Sequence, residues 1–282
     1  MTKVSEVMVT NPIVAIVPGN RNDVLAMMVK HKLTGMPVVR ESDGRLAGII
    51  SRKDIYNNPE EEQISLLMER DVLTIGPDED IEEAARILVE NNIHRLPVIE
   101  GNKLVGIVTP TDLLKEVKAR KLSTPVEELI RTTCVPVWEG DPIKYVQTVF
   151  RVTNIDALPV LNANGDIVGI ITDRDLFNRS LINDSTTKSE LGIGQDEDEW
   201  SWEGIRNVMP LYYEKSKVDL PDVSVLDLMV RDPVTLFKKS PVYEAANIMK
   251  RNDFGQIPIR DNKDRLFGMI FDLDVISALL LD

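Results

Sequence analysis

The sequence has few of the residues on which many catalytic sites depend. Its 282 residues include one cysteine, Cys134, which excludes an internal disulfide and favours a reducing compartment. The two histidines, His31 and His94, do not stand in a metal-ligand spacing. Neither a P-loop nor a Gly-x-Gly-x-x-Gly motif occurs. Without a nucleophile next to a base or a cluster of metal ligands, the sequence predicts that the protein is not an enzyme.

Basic charge and long apolar runs are also scarce. Lysine and arginine number 33 against 46 aspartates and glutamates, so the formal net charge is −13. Such a chain is not expected to bind nucleic acid nonspecifically, because phosphate backbones attract basic surfaces. No apolar run approaches the roughly 20 residues that cross a membrane, and the first residues, MTKVSEVMVTNP, lack the apolar segment of a signal peptide. We therefore expect a cytoplasmic protein without a membrane segment.

The sequence contains one phrase that is repeated four times. Each copy has a proline within a short apolar stretch, a glycine nine to eleven residues later, and an aspartate six residues after the glycine. Because each copy is one supersecondary unit that needs a neighbour to bury its apolar face, the repetition determines the architecture. The four sets are Pro37/Gly48/Asp54, Pro97/Gly106/Asp112, Pro159/Gly169/Asp175 and Pro258/Gly268/Asp274.

The second copy shows the predicted unit most clearly. Residues 72–75 are predicted to form a strand, and the apolar residues within 81–88 recur with the period of a helix. Residues 96–99 and 104–108 are predicted to be two strands joined by a tight turn, and Thr109 begins a second helix. Neither helix of a single copy can cover a three-stranded sheet well, so we expect the copies to pair.

The predicted fold class is therefore α/β (α+β), with four repeats of strand-helix-strand-strand-helix. A short lead-in helix precedes each repeat, at residues 64–68 in the second copy. About 40 extra residues between copies three and four carry an acidic run, Trp200 and Trp202, and could either pack on the protein or dock a partner. The predicted ranges are 1–58 for repeat one, 64–120 for repeat two, 125–180 for repeat three, 181–222 for the insertion and 223–282 for repeat four.

The repeat resembles the CBS domain, which is named for cystathionine beta-synthase. The resemblance rests on the phrase [LMI]-P-[VI], followed later by Gly, two apolar residues, Ser or Thr, two further residues and Asp, and it covers nearly the whole chain. Four such repeats look like a pair of Bateman modules, as in the gamma subunit of AMP-activated protein kinase and in stand-alone archaeal four-repeat proteins. The resemblance implies a regulatory, energy-sensing protein that binds adenosine-containing ligands in clefts between paired repeats.

The end of each repeat has two interpretations. A helix that begins at Thr109 presents N–H groups that favour an anion, and the Thr109 hydroxyl can add a donor. The carboxylate of Asp112 suits a ribose diol, which is the role that the resemblance implies. Alternatively, Thr109 and Asp112 form a capping box that serves only the helix, and the two roles are compatible. The predicted ribose-binding residues are Asp54, Asp112, Asp175 and Asp274, and the predicted phosphate-binding hydroxyls belong to Ser51, Thr109 and Thr172.

Two features distinguish the copies. Copy four has Phe271 in place of the hydroxyl, which weakens the case for a phosphate contact there. Copy two has His94 and Arg95 before its proline, where copy three has Asp156 and Ala157. The basic pair resembles the phosphate-contacting pair of kinase gamma subunits, and arginine can bind phosphate through two hydrogen bonds. His94 and Arg95 are therefore predicted phosphate ligands, with a solvent-exposed basic pair as the alternative, and the second module is expected to prefer a less anionic adenosyl ligand.

The expected ligands are AMP, ADP or ATP, with S-adenosylmethionine or methylthioadenosine as the alternative. We expect no catalytic cofactor and no metal. A function of a different class also fits the sequence, namely a scaffold with vestigial clefts and a constitutive protein partner. The expected partner of a sensor is a regulated protein, and the chain itself is expected to be a monomer or a homodimer.

Overall fold

A computed structural model describes residues 2–58, 61–176 and 222–281. Most of the predicted insertion, with Trp200 and Trp202, lies outside the described residues. Contacts within the chain define two compact units. The first comprises Met1–Thr132, Leu236–Ile257 and Ile270–Asp282, and the second comprises Thr133–Thr235 and Pro258–Met269. Residues Leu236–Ile257 and Ile270–Asp282 of repeat four therefore belong to the same unit as repeats one and two.

The described elements follow the predicted mixture of short strands and helices. The α-helices are α1 Val4–Val7, α2 Arg21–His31, α3 Arg52–Asn57, α4 Ile64–Leu67, α5 Ile81–Glu90, α6 Pro110–Ala119, α7 Ile143–Thr153, α8 Val242–Asn252 and α9 Asp272–Ile276. Residues 173–176 are also helical. Short 3-10 helices cover Val126–Glu128, Val225–Asp227 and Ser277–Leu280. The strands are β1 Val9–Thr10, β2 Ala15–Val17, β3 Gly35–Arg40, β4 Leu46–Ser51, β5 Leu96–Glu100, β6 Lys103–Val108, β7 Val137–Trp138, β8 Ala157–Leu161, β9 Ile167–Thr172, β10 Val230–Arg231, β11 Leu236–Phe237, β12 Gln256–Arg260 and β13 Leu266–Phe271.

Repeats one, two and three are each built on an antiparallel strand pair with a parallel strand or bridge beside it. In repeat one, β2 runs parallel to β3, and β3 pairs antiparallel with β4. In repeat three, β7, β8 and β9 have the same arrangement. Repeat four has the strand order β11-β12-β13. This is the predicted unit, with the first helix of each repeat between its first and second strands.

One predicted strand of repeat two is wrong in its extent. Residues 72–75 were expected to form a strand, but only Ile75 pairs, in a parallel bridge with Val98. The Ile75 N–H donates to the Pro97 carbonyl at 3.1 Å, and the Ile75 carbonyl accepts from the Ile99 N–H at 2.9 Å. Ile75 therefore pairs with β5 through both its N–H and its carbonyl, whereas residues 72–74 do not extend the pairing.

The lead-in segments of repeats one and two are exchanged. The Val4 N–H of α1 donates to the Glu79 carbonyl of repeat two at 2.9 Å, and β1 then pairs antiparallel with β6 of repeat two. In return, Glu69 follows α4 and exchanges two backbone hydrogen bonds, each 2.9 Å, with Ile49 of repeat one. The two repeats are therefore joined by backbone bonds in both directions.

Repeats three and four exchange their lead-ins in the same way. The Val126 N–H, at the lead-in of repeat three, donates to the Ser240 carbonyl of repeat four at 3.0 Å. The lead-in of repeat four supplies β10, which pairs antiparallel with β9 of repeat three. The apolar side chains of Val225 and Met229 from that lead-in join the core of repeat three. The four CBS-like repeats are thus paired, one with two and three with four.

The glycine of the repeated phrase makes room for a methionine of the exchanged lead-in. A Cβ atom added at Gly106 would lie 2.5 Å from Met8 Sδ, and one added at Gly169 would lie 2.5 Å from Met229 Sδ. At Gly48 the added atom would lie 3.0 Å from Met68 Sδ. A side chain at these positions would displace the lead-in, because close-packed interiors do not absorb an extra carbon without strain.

The first unit also joins helices of repeats two and four. Helix α6 packs against α8 and α9, and α5 packs against the 3-10 helix Ser277–Leu280. The buried side chains include Leu113 and Val117 of α6, and Ala246 and Met249 of α8. Helix α5 has its apolar face at Ile81, Ala84, Ala85, Leu88 and Val89, all of them buried, as its period predicts. These apolar helix faces hold the candidate site residues of repeats two and four in one packed body.

Candidate ligand-binding site

The aspartate of the repeated phrase caps the helix that follows it. In repeat one, Asp54 Oδ2 accepts from the Ser51 N–H at 2.7 Å and from the Ser51 hydroxyl at 2.6 Å. The corresponding distances are 3.0 and 2.8 Å for Thr109 and Asp112, and 2.8 and 2.7 Å for Thr172 and Asp175. The capping-box interpretation is therefore correct for these three motifs.

The cap limits what the three hydroxyls can offer a ligand. Each hydroxyl of Ser51, Thr109 and Thr172 has one proton, and it is donated to the aspartate of its own motif. The first N–H of α3 is also engaged, since Arg52 N donates to the Thr34 carbonyl at 3.0 Å. In repeat two the first helical residue is Pro110, which has no N–H. To donate to a phosphate, the hydroxyl of Ser51, Thr109 or Thr172 would have to rotate away from its aspartate. Cations on neighbouring segments are therefore more important for phosphate binding than the sequence suggested.

The carboxylates keep an oxygen that the cap does not use. In the motifs of repeats one, two and three, Oδ2 of the aspartate accepts both hydrogen bonds, and Oδ1 takes no part in the cap. Asp112 is 7% exposed, whereas Asp54 and Asp175 are half-buried. A fixed, partly desolvated carboxylate oxygen is a strong acceptor for a hydroxyl donor. The cap therefore orients the aspartate without excluding a ribose contact.

Arg95 links repeat two to repeat one. Its Nη2 donates to the Thr34 hydroxyl, and a Cβ atom added at Gly35 would lie 2.8 Å from Arg95 Cζ. Thr34 also accepts the Arg52 N–H, so the guanidinium lies beside the start of the Ser51–Asp54 helix. Arg95 itself directly precedes β5, whose Leu96 pairs with Val108, the residue before Thr109. Arg95 thus stands between the motifs of repeats one and two, an arrangement that the sequence did not reveal.

His94 makes its contact in a different direction. Its Nε2 lies 3.5 Å from Asp272 Oδ1, at the first residue of α9 in repeat four. Asp272 is held there by its N–H, which donates to the Gly255 carbonyl at 2.8 Å. His94 and Arg95 therefore contact different repeats, and Asp272 competes with any phosphate for His94.

The fourth motif differs from the other three. The Phe271 N–H donates to Asp274 Oδ2 at 2.9 Å, with no hydroxyl to add a second bond. Asp274 is 2% exposed, and Arg131 Nε lies 3.5 Å from its Oδ1. Burial raises the pKa of Asp274, and this rise is opposed by the Phe271 N–H and by Arg131. Arg131 belongs to the lead-in of repeat three and was missed from the sequence, because it lies outside every motif.

The residue two positions before the aspartate of each motif, where the helix begins, differs in charge between the two pairs of repeats. Repeat one has Arg52, which is buried at 7% exposed, and repeat two has Pro110. Repeats three and four have Asp173 and Asp272 at the corresponding positions. Asp156, whose backbone carbonyl accepts the Asp173 N–H at 3.1 Å, is a further acidic residue next to the third motif. Even with Arg174 counted, the third motif has more acidic residues than the first, which has Arg52 and Lys53 beside Asp54.

The Cys134 thiol shows no sign of activation as a nucleophile. Burial raises the pKa of the Cys134 thiol to about 11, so the thiol is protonated at neutral pH and is a weak nucleophile. In the described ranges, no group of three or more histidine, cysteine, aspartate or glutamate side chains is placed to hold a metal ion. None of the helices in those ranges is both long and apolar enough to span a membrane.

Comparison with protein families accounts for the repeats. The family model described as CBS domain matches four times, at residues 4–61, 62–119, 126–181 and 225–281. These matches cover most of the chain, each of the four repeats once.

Curated relatives share the sequence in part. Protein MJ1225 of Methanocaldococcus jannaschii, described as uncharacterized, is 28% identical over 192 residues, which is 62% of this chain and 68% of that protein. An inosine-5′-monophosphate dehydrogenase of Korarchaeum cryptofilum is 34% identical over 110 residues, or 39% of this chain. The match spans only 22% of the dehydrogenase.

Solved structures share the fold over nearly the full length. An uncharacterized conserved protein from Pyrococcus horikoshii has a TM-score of 0.67 and 25% identity, and the match covers 99% of this chain and 100% of that chain. The crystal structure of MJ1225 has a TM-score of 0.76 and 20% identity, with 98% and 99% covered. At these identities the second comparison supports the fold alone.

Proposed function

Because the chain belongs to the CBS-domain family, with four repeats paired one with two and three with four, we propose that it is a regulatory protein that binds an adenosine-containing ligand between repeats one and two. The observation that carries the proposal is the position of Arg95 between two helix-capping aspartates, Asp54 and Asp112. A ribose diol would donate to Oδ1 of one aspartate, while the cap holds that carboxylate through Oδ2. A phosphate would accept hydrogen bonds from the guanidinium of Arg95.

An adenine nucleotide fits the first pair of repeats better than an uncharged nucleoside does. The guanidinium of Arg95 is held by Thr34 and by the close approach of Gly35, so it is oriented before a ligand arrives. Such preorganisation reduces the entropy lost on binding. Arg52 adds a second, buried cation next to the first motif. AMP, ADP and ATP are therefore the proposed ligands of this site.

A second ligand is favoured at the third motif. Asp156 and Asp173 are acidic residues next to Thr172 and Asp175, Arg174 is the one basic residue within this motif, and no basic pair precedes its proline. Like charge would repel a phosphate there and would attract a cation. An adenosyl compound that carries a sulfonium, such as S-adenosylmethionine, is therefore the proposed ligand of the third motif.

Regulation follows from the exchanged lead-ins. A ligand that contacts both repeats of a pair favours one geometry of that pair, to the extent that it binds that geometry better than the alternatives. The backbone bonds between Glu69 and Ile49, and between β1 and β6, would transmit that preference to the lead-in segments. MJ1225, which shares the fold, is described as a candidate archaeal homologue of the gamma subunit of AMP-activated protein kinase. We propose that a partner protein recognises the ligand-dependent geometry and that the chain itself catalyses no reaction.

Thermal denaturation of the full-length protein with AMP, adenosine, S-adenosylmethionine and GMP tests the proposal. A ligand at 100 times its Kd adds about 2.7 kcal/mol to the free energy of unfolding, so AMP should raise the melting temperature clearly. GMP, which has the same ribose and phosphate, is the comparison that reports on the base. Mass spectrometry of the purified protein would identify any adenosyl compound that it retains. If no adenosine-containing compound changes the melting temperature at millimolar concentration, the scaffold function is the better account.

A further inference from the structure

The fourth motif keeps its aspartate but has lost the partner that the other three use. Ser51, Thr109 and Thr172 each donate a hydroxyl proton to their aspartate, at 2.6, 2.8 and 2.7 Å. Phe271 has no such group and offers only its N–H, at 2.9 Å. Yet Asp274 is the more deeply buried carboxylate, at 2% exposed against 7% for Asp112. A buried carboxylate needs compensation, so something else must supply it.

Arg131 supplies that compensation. Its Nε lies 3.5 Å from Asp274 Oδ1, the carboxylate oxygen that the cap leaves unused in the other repeats. Both the backbone N–H and the side chain of Arg131 act to lower the pKa of Asp274, against the effect of burial. The side chain of Arg131 is itself 48% exposed, so it reaches the carboxylate from the solvent side. A ligand would have to approach Oδ1 from that same side.

The position of Arg131 is specific to this lead-in. Aligned on the residue that follows the apolar pair Val-Met, Leu-Met or Leu-Ile, the other lead-ins have Val9, Glu69 and Val230. None of these three is a cation, and all three pair through the backbone with the strand before the motif, at Ile107, Ile49 and Ile170. The arginine therefore occurs only in the lead-in that packs on the repeat without a hydroxyl.

We propose that Arg131 occupies the ribose position of the fourth motif, so that Asp274 serves the fold and does not bind an adenosyl ligand in the native protein. The inference rests on the proposed function, because it assumes that the aspartates of the other motifs contact ribose. It separates Asp274 from Asp54, Asp112 and Asp175, with which the sequence grouped it. On this proposal, Arg131 determines whether the fourth motif can bind a ribose.

The test counts adenosine-binding sites in the full-length protein by calorimetry. The probe is adenosine, which lacks a phosphate and so reports the ribose and base contacts alone. Arg131→Val introduces the residue that the lead-ins of repeats one and four already have at this position, and it should add one adenosine site to those of the parent. Arg231→Ala is the matched control, because this exposed lead-in arginine contacts the Leu226 carbonyl and no motif aspartate.

A second variant guards against loss of folding. Arg131→Val combined with Phe271→Thr restores the hydroxyl donor of the other motifs, so Asp274 keeps two hydrogen bonds after the arginine is removed. This variant should also gain one site, and adding Asp274→Asn should abolish the gain. If the parent binds adenosine and neither opened variant gains a site, the role of Arg131 is refuted while the proposed function stands. If neither the parent nor the opened variants bind adenosine or AMP, both are refuted.

Discussion

Arg95 of repeat two donates a hydrogen bond from Nη2 to the hydroxyl of Thr34 in repeat one. Thr34 in turn accepts the first N–H of α3 through its carbonyl, so one residue connects the guanidinium with the helix that Asp54 caps. The bond crosses between two repeats whose lead-ins are exchanged, and its two partners lie 61 positions apart in the sequence. Arg95 therefore connects repeat two with the motif of repeat one.

The first prediction separates phosphate recognition from nucleoside recognition. Arg95→Ala should weaken AMP binding by about 1.5–3 kcal/mol, the scale for hydrogen bonds to a charged group. Adenosine affinity should change little, and added salt should weaken AMP more than adenosine. Calorimetry with both ligands measures the difference. Arg86→Ala is the control, because Arg86 is an exposed arginine of the same repeat paired with Glu83. An equal loss of affinity for AMP and adenosine would mean that Arg95 holds the repeats together and does not contact the phosphate.

The second prediction separates the ribose contact of Asp112 from its capping role. Asp112→Ala should weaken adenosine binding, and it should also cost about 1–3 kcal/mol of stability because the Thr109 N–H and hydroxyl lose their acceptor. Asp227 caps the lead-in of repeat four through the same two bonds from Ser224, yet belongs to no ligand motif. Asp227→Ala should lower stability without changing adenosine affinity. Should both variants bind adenosine as the parent does, Asp112 is only a capping residue.

The third prediction concerns the exchanged lead-in. Gly106→Ala places a carbon 2.5 Å from Met8 Sδ and 3.2 Å from the Val9 carbonyl oxygen, so it should destabilise the protein by about 1–3 kcal/mol. In a Met8→Ala background the same change should cost less, because the two side chains compete for one space. Urea denaturation of the four proteins gives the coupling. Gly76→Ala, whose added carbon is 3.6 Å from Glu79 Cγ, should be tolerated. If the effects of Gly106→Ala and Met8→Ala are additive, contact with Met8 is not the reason for the glycine at position 106.

The fourth prediction concerns pH. Burial raises the folded-state pKa of Asp274 above 3.8, so the folded protein holds this proton more tightly than the unfolded chain does. The stability contributed by this group therefore falls as pH rises from 3.8 through the raised pKa. Asp274→Asn removes the titration, and its stability relative to the parent should increase with pH across that window. Urea denaturation at a series of pH values measures it.

Asp227 provides a contrast of opposite sign for the pH series. Hydrogen bonds from the Ser224 hydroxyl and N–H lower the pKa of Asp227 below 3.8. Its contribution is present above the unfolded pKa and is lost as pH falls through the lowered folded value. Asp227→Asn should therefore lose stability relative to the parent as pH rises through that lower window. The same direction of change for both variants would contradict the assignment of burial as the dominant influence on Asp274.

Local patterns were sufficient to predict the repeats and most of their elements. The period of apolar residues in α5 and the proline-centred strand β5 are properties of single segments, and both were found where expected. The strand at 72–75 was wrong because its apolar residues are typical of a strand, whereas only Ile75 meets a partner. The capping interpretation of Asp112 was also available from spacing alone, since Thr-x-x-Asp is a local motif.

Contacts between distant segments could not be predicted in the same way. The exchange of lead-ins depends on backbone bonds such as Ile49 to Glu69, for which β-propensity gives no register. Arg131 lies outside every motif, although alignment of the four lead-ins would have shown a cation where the others have valine or glutamate. Likewise, His94 and Arg95 are adjacent in sequence, but their side chains contact Asp272 and Thr34 in different repeats.

Calorimetric titration of AMP into the full-length protein and into an Asp54→Ala/Asp112→Ala variant tests the central claim most directly. Both aspartates lie in the first unit, and each keeps an oxygen that its cap does not use. The account predicts that AMP binds the parent and that the site dependent on Arg95 is lost in the double variant, while circular dichroism shows the variant to be folded. Unchanged AMP binding by the folded double variant, or no binding by the parent, would contradict it.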